Sequence, residues 1–202
     1  MYTYIWNMMM ICISIFNCIS LSKRTYLSGI YTVVCAYRSI FPKVDMERVV
    51  LYDNILSSIF VGRSLATIAE IAFAIQVSQH VNNIMIIPPI ILAQCFCWTS
   101  VLTLNPLWHI MEESVWALTA FIVLDKNNFM VVIPYILFMV LIDIPMYIRK
   151  YKTWDGRYLH FKEGIKNALY VRYKITQWDF WKNEAIWMTP YFSVAVWISQ
   201  YM

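Results

Sequence analysis

Charge and glycine are both scarce in this chain. Only 14% of its 202 residues are Asp, Glu, Lys or Arg, while 60% are hydrophobic and 17% aromatic; a soluble domain carries about 25% charged residues. So little charge cannot coat a water-facing surface, and the natural solvent of such a chain is a lipid bilayer. With four glycines it is neither linker-rich nor of low complexity, and it has no internal repeat of fixed period. The five cysteines, Cys12, Cys18, Cys35, Cys95 and Cys97, are odd in number and include no C-x-x-C, so neither a disulfide framework nor a zinc site is suggested. Cys95 and Cys97 read as small apolar packing residues.

Familiar chemical signatures are missing as well. There is no G-x-S-x-G, no glycine-rich phosphate loop, no H-E-x-x-H and no TVGYG-type filter. No lysine falls inside an expected span, which argues against a retinal Schiff base; Lys182, just before the last span, comes nearest.

What is present is a series of apolar runs. A hydrocarbon core of roughly 30 Å needs about 20 helical residues at 1.5 Å each. The expected spans are residues 4–21, 55–77, 84–104, 107–124, 129–148 and 185–201. The first is not read as a signal peptide, because no basic residue precedes it and no small-x-small cleavage site follows. Lys23 and Arg24 stop it, and 25–41 reads as an interfacial or re-entrant helix. The chain is thus expected to be all-α: a polytopic membrane bundle of about six transmembrane helices, seven if 25–41 crosses, forming one integral membrane domain over 1–202. Residues 22–54 and 149–184 are its connecting segments.

The net charge of +4 does not indicate nucleic acid, because its distribution follows membrane topology. Lys23, Arg24, Arg38, Lys43 and Arg48 lie between the first two spans, and Arg149, Lys150, Lys152, Arg157, Lys162, Lys166, Arg172, Lys174 and Lys182 between the last two. Four spans separate these stretches, so they share a side, and the positive-inside rule makes that side cytoplasmic. Both termini then lie outside, with Lys126 in an outer loop. Which membrane is involved is not written in the residues.

The segment 105–124, NPLWHIMEESVWALTAFIVL, is the focus of the polar groups. A proline at its second position suits a helix start. His109 stands three and four residues before Glu112 and Glu113, which puts the imidazole over both carboxylates on one helix face. Counted from the cytoplasmic ends, Arg63 is roughly 12 Å deep, Glu112 and Glu113 roughly 8–9 Å, Asp143 roughly 8 Å and Glu70 roughly 22 Å. A charge at mid-bilayer costs about 2.5–3.5 kcal/mol on insertion scales, so such groups face the bundle interior, pair, or mark a functional pathway. Arg63 either braces the spans through buried ion pairs or belongs to a working site. Three carboxylates exceed what one arginine neutralises, which favours the working site.

The expected function is an enzyme acting on a lipid or isoprenoid, with Glu112, Glu113 and Asp143 as acid or base, and Arg63 and Glu70 as substrate-binding groups. The alternatives are a proton- or cation-coupled transporter or channel, and a structural protein with a salt-bridged bundle. His109 is the candidate metal ligand, since carboxylates at i+3 and i+4 favour binding; di-metal bundles, however, use Glu-x-x-His from two helices. The partner is the bilayer, with a lipid or small ion as ligand. Cofactor and oligomeric state are not legible in the residues. The segment 62–76, GRSLATIAEIAFAIQ, looks like a motif without pointing to an activity.

Overall fold

The computed structural model describes residues 1–20, 25–125 and 129–201. Lys23 and Arg24, read as the stop to the first span, and Lys126, read as an outer-loop residue, lie outside the described residues. The order is α1 (Tyr2–Ser20), α2 (Tyr26–Ile40), β1 (Lys43–Val44), β2 (Val49–Val50), α3 (Ile59–His80), α4 (Ile87–Thr103), α5 (Leu107–Val123), α6 (Phe129–Phe138), a π-helical turn (Met139–Asp143), α7 (Ile144–Lys152), α8 (Phe161–Tyr170), β3 (Tyr173–Lys174), α9 (Trp178–Phe192) and α10 (Val194–Tyr201). Helix makes up 79% of the structure, which settles the class as all-α. Two compact units can be distinguished, Met1–Gln76 with Ala168–Met202, and Val77–Asn167.

Among the described residues, four helical stretches are long and apolar enough to cross a membrane: Tyr2–Ser20, Ile59–His80, Ile84–Thr103 and Phe129–Lys152. The other two expected spans differ in detail. Helix α5 has 17 residues, and the closing segment is divided between α9 and α10 at Ser193. The expected span at 55–77 begins later, because Asn54 caps a 3-10 turn at Ile55–Ser57 by accepting from the Ser57 N–H.

The first unit packs α1, α2, α9 and α10 around Trp6, Met10, Tyr31, Trp181, Met188 and Phe192. Lipid tails are as apolar as leucine, so polar side chains supply much of the specificity between membrane helices. Asn7 Nδ2 donates to the Ser39 carbonyl at 2.7 Å and Asn7 Oδ1 accepts from Tyr52 Oη at 2.7 Å. Gln200 Nε2 donates to the Asn17 carbonyl at 2.9 Å and to Thr32 Oγ1 at 3.1 Å. One buried amide thereby ties the last helix to the first two.

Within 22–54, the stretch Lys43–Val50 is not a solvated loop. Strands β1 and β2 pair antiparallel, and β3 joins β2 in parallel. Lys43 is 2% exposed. Its Nζ donates to the Leu56 carbonyl at 3.1 Å, the Ser58 carbonyl at 3.2 Å and Tyr37 Oη at 3.3 Å, which uses all three ammonium hydrogens.

In the second unit, α4 and α5 form a helical hairpin, with α5 also against α6, the π turn and α7. Helix α8 meets the end of α4, where the Leu159 N–H donates to the Thr103 carbonyl at 3.1 Å. Much of α6 through Ile142 is exposed apolar side chain, including Met130, Leu137 and Leu141, as a lipid-facing helix requires.

Candidate functional site

The site is built on the α4–α5 hairpin. Helix α4 (from Ile87) carries Pro88 and Pro89 in its first turn, where a missing N–H costs no intrahelical bond. It closes at Leu104, which takes a left-handed conformation with φ 61°. Ser100 Oγ donates to the Asn105 carbonyl at 2.8 Å, and Asn105 Oδ1 accepts from the Leu107 N–H at 3.0 Å. These bonds hold the reversal, so the first turns of α5 run back along α4. Phe96 and Trp108 stack across it with ring centroids 5.7 Å apart.

Three chemically different side chains converge behind that stack. Cys97 Sγ lies 4.0 Å from His109 Nδ1, and the same nitrogen lies 2.7 Å from Glu112 Oε2. All three residues are buried, and their ligating atoms lie within 4.8 Å of one another. The Tyr147 ring stacks on the imidazole at 4.6 Å, and Lys150 Nζ sits 5.6 Å from the Tyr147 ring centroid. The aromatic partner fixes the imidazole plane.

A carboxyl pair adjoins this cluster. Asp143 closes the π-helical turn at Met139–Asp143; such turns insert an extra residue into a helix and are frequent at functional sites. The Asp143 side chain is hydrogen-bonded to Glu113, with Glu112, His109 and Lys150 in electrostatic reach. An ionised carboxylate only accepts hydrogen bonds, so a bond between two carboxyl groups requires one of them to carry a proton.

The six residues singled out in the sequence fall into two groups. His109, Glu112, Glu113 and Asp143 belong to the Val77–Asn167 unit. Arg63 and Glu70 belong to the other, where Arg63 Nη2 lies 2.7 Å from Glu70 Oε1 and Tyr191 Oη donates to the same oxygen at 3.0 Å. The i, i+7 spacing sets this pair two turns apart on one face of α3. Glu184, the residue before the expected last span at 185–201, is buried and accepts from Trp187 Nε1 at 2.7 Å.

Sequence reasoning missed Cys97. Cys95 is exposed and Cys97 fully buried, so two residues read alike are in different surroundings. The available signal was the break at 104–106, since a reversal there sets the turn of α4 around position 97 beside the first turns of α5. No protein-family model, no curated protein and no solved structure matches this chain.

Proposed function

We propose that this chain is a multi-pass membrane enzyme acting on a lipid or isoprenoid, with its reacting groups in the Val77–Asn167 unit. The observation that carries this reading is the carboxyl pair Glu113–Asp143 beside a buried imidazole, set on a π-helical turn of an otherwise lipid-facing helix. A proton held between two carboxyl groups in a low-dielectric setting is available both to protonate a leaving group and to be replaced from the substrate, which is general acid–base chemistry. Glu112, held by His109, supplies the fixed negative charge that would favour a developing cation. Arg63 and Glu70, engaged with each other, act in this reading as the brace of the other unit.

The finer topology belongs to the same proposal. Seven spans, with α2 running back beside α1, put Arg38, Lys43, Arg48 and the basic residues of 149–182 on the cytoplasmic side together with the N-terminus, in keeping with the bonds of Thr3 to Thr176 and of Asn7 to Ser39 and Tyr52, and leave the C-terminus outside. Helix α5 completes the arrangement: its crossing makes four between residues 43–58 and the segment after Lys152, an even number that agrees with the pairing of β2 with β3.

The test is purified protein in nanodiscs of native lipid extract, with lipids followed by mass spectrometry. The expected result is a lipid species consumed by the wild type and untouched by Glu113→Gln or Asp143→Asn, both variants remaining folded. Absence of any conversion, together with a proton-driven liposome current that these substitutions abolish, would overturn the enzyme and give the site to proton-coupled transport.

A further inference from the structure

We propose that Cys97, His109 and Glu112 bind one divalent transition-metal ion of borderline softness, with zinc foremost. The inference takes the same site as the enzyme reading and deepens it, but it stands on different observations.

The geometry excludes the obvious alternative for a thiol, an imidazole and a carboxylate. In a nucleophilic triad the imidazole uses one nitrogen toward the nucleophile and the other toward the orienting acid. Here Cys97 and Glu112 both address Nδ1, at 4.0 Å and 2.7 Å. A single nitrogen cannot relay a proton between them. Three groups arranged around one point are what coordination requires.

The distances are close to those of a bound ion. Zn–S of about 2.3 Å and Zn–N or Zn–O of about 2.0–2.1 Å in a tetrahedron imply S···N near 3.6 Å and N···O near 3.3 Å. The two separations from Nδ1 each differ from these by roughly half an ångström, and the remaining sulfur–oxygen pair, within 4.8 Å, closes toward about 3.6 Å. The adjustment is small because Glu112 is one turn along α5 from His109, while Cys97 reaches in from the packed helix α4.

Charge points the same way. On binding, the thiol proton leaves and the imidazole presents an unprotonated Nδ1 with its hydrogen on Nε2, so a thiolate, a neutral imidazole and a carboxylate face a dication. The resulting site is neutral overall, which suits three buried side chains better than any partly ionised metal-free state. A thiolate in the donor set selects zinc-like ions over magnesium or calcium, which take oxygen ligands. Three protein donors leave a fourth position for water or substrate, the pattern of catalytic rather than structural zinc.

The experiment uses the full chain in detergent, stripped with chelator and titrated with Co2+, then competed with Zn2+. The expected wild-type result is one ion per chain with a thiolate-to-cobalt charge-transfer band that Zn2+ removes. Cys97→Ser should lose the band, and His109→Gln should weaken binding beyond the roughly 10–100-fold cost of a change outside the ligand set. Cys95→Ser, altering an exposed thiol, should leave both unchanged. If Cys97→Ser does not fold, Glu112→Gln keeps thiol and ring in place and should retain the band while binding more weakly. No ion bound by folded wild type, or a band that survives in Cys97→Ser, overturns the proposal. Lipid conversion by a folded wild type that binds no ion would remove the metal and leave the enzyme; stoichiometric metal with no lipid conversion would do the reverse.

Discussion

Lys43 fills the space that a side chain on Gly62 would need: a Cβ built there would lie 2.7 Å from Lys43 Cδ and 2.8 Å from its Nζ. The glycine that opens the 62–76 segment is therefore the slot for a buried lysine. Gly62→Ala is expected to destabilise the protein by about 1–3 kcal/mol, the usual cost of overpacking. In a Lys43→Ala background the same change should become favourable by up to about 1 kcal/mol, because alanine then contributes only its helix propensity. Thermal unfolding in detergent of the four combinations reads this reversal of sign, and equal effects in both backgrounds would refute the contact.

Burial pushes the Lys43 ammonium down to about 7, with Arg38 and Arg172 acting in the same direction against the opposing pull of Asp45. The unfolded chain keeps that proton up to the ordinary lysine value of 10.5, so between about 7 and 10.5 the unfolded state binds more protons than the folded one. Stability from this group should rise with pH across that window, by at most about 1.4 kcal/mol per unit, and be flat below it. Unfolding midpoints measured across that range, compared with Lys43→Met, isolate the slope. A slope unchanged by the substitution would assign it elsewhere.

Gly164 presents a sharper case. A Cβ there would collide with the backbone carbonyl of Leu102, and backbone cannot swing away as a lysine tail can. Gly164→Ala should separate α8 from the end of α4 at a cost of at least about 1–3 kcal/mol, and trimming Leu102 to alanine should not rescue it. Recovery in that double variant would show that side-chain crowding, not the carbonyl, sets the limit.

The Arg63–Glu70 pair is buried at both ends. Arg63→Met should cost about 3–5 kcal/mol by leaving an uncompensated carboxylate, and Arg63→Met with Glu70→Gln should recover most of it. Tyr191→Phe, which removes a hydrogen bond to the charged Glu70 oxygen, should cost about 1.5–3 kcal/mol. By contrast, Glu113→Gln and Asp143→Asn should leave stability unchanged or raised, since each removes a group that is expensive in a membrane. Heavy losses at those two positions would turn the candidate site into another brace.

Sidedness can be read by labelling single cysteines with an impermeant reagent, after replacing exposed Cys12, Cys18 and Cys95 with serine. Position Arg157 should be protected from outside and Tyr26 and Asp125 labelled, all three being exposed in the structure. Tyr26 protected together with Arg157 would show that α2 does not cross. Lys43 is unsuitable for this purpose, because it is buried.

The apolar runs and the local spacing were enough to determine the helical class, the main membrane helices and the placing of His109 over Glu112, because each depends on residues within a few turns of one another. Spacing alone left Glu112 and Glu113 equivalent partners of that imidazole. Tertiary structure separated them, giving Glu112 to His109 and Glu113 to Asp143 on another helix. It likewise gave Arg63 to Glu70 two turns along its own helix, and converted Lys43 from an apparent loop charge into a buried one. Depth along a helix can be counted from the chain, but the direction a side chain faces depends on which helix lies beside it. That depended on a left-handed residue at 104 bringing Cys97 to His109, and on a π-helical turn at 139–143 whose extra residue no hydropathy pattern encodes.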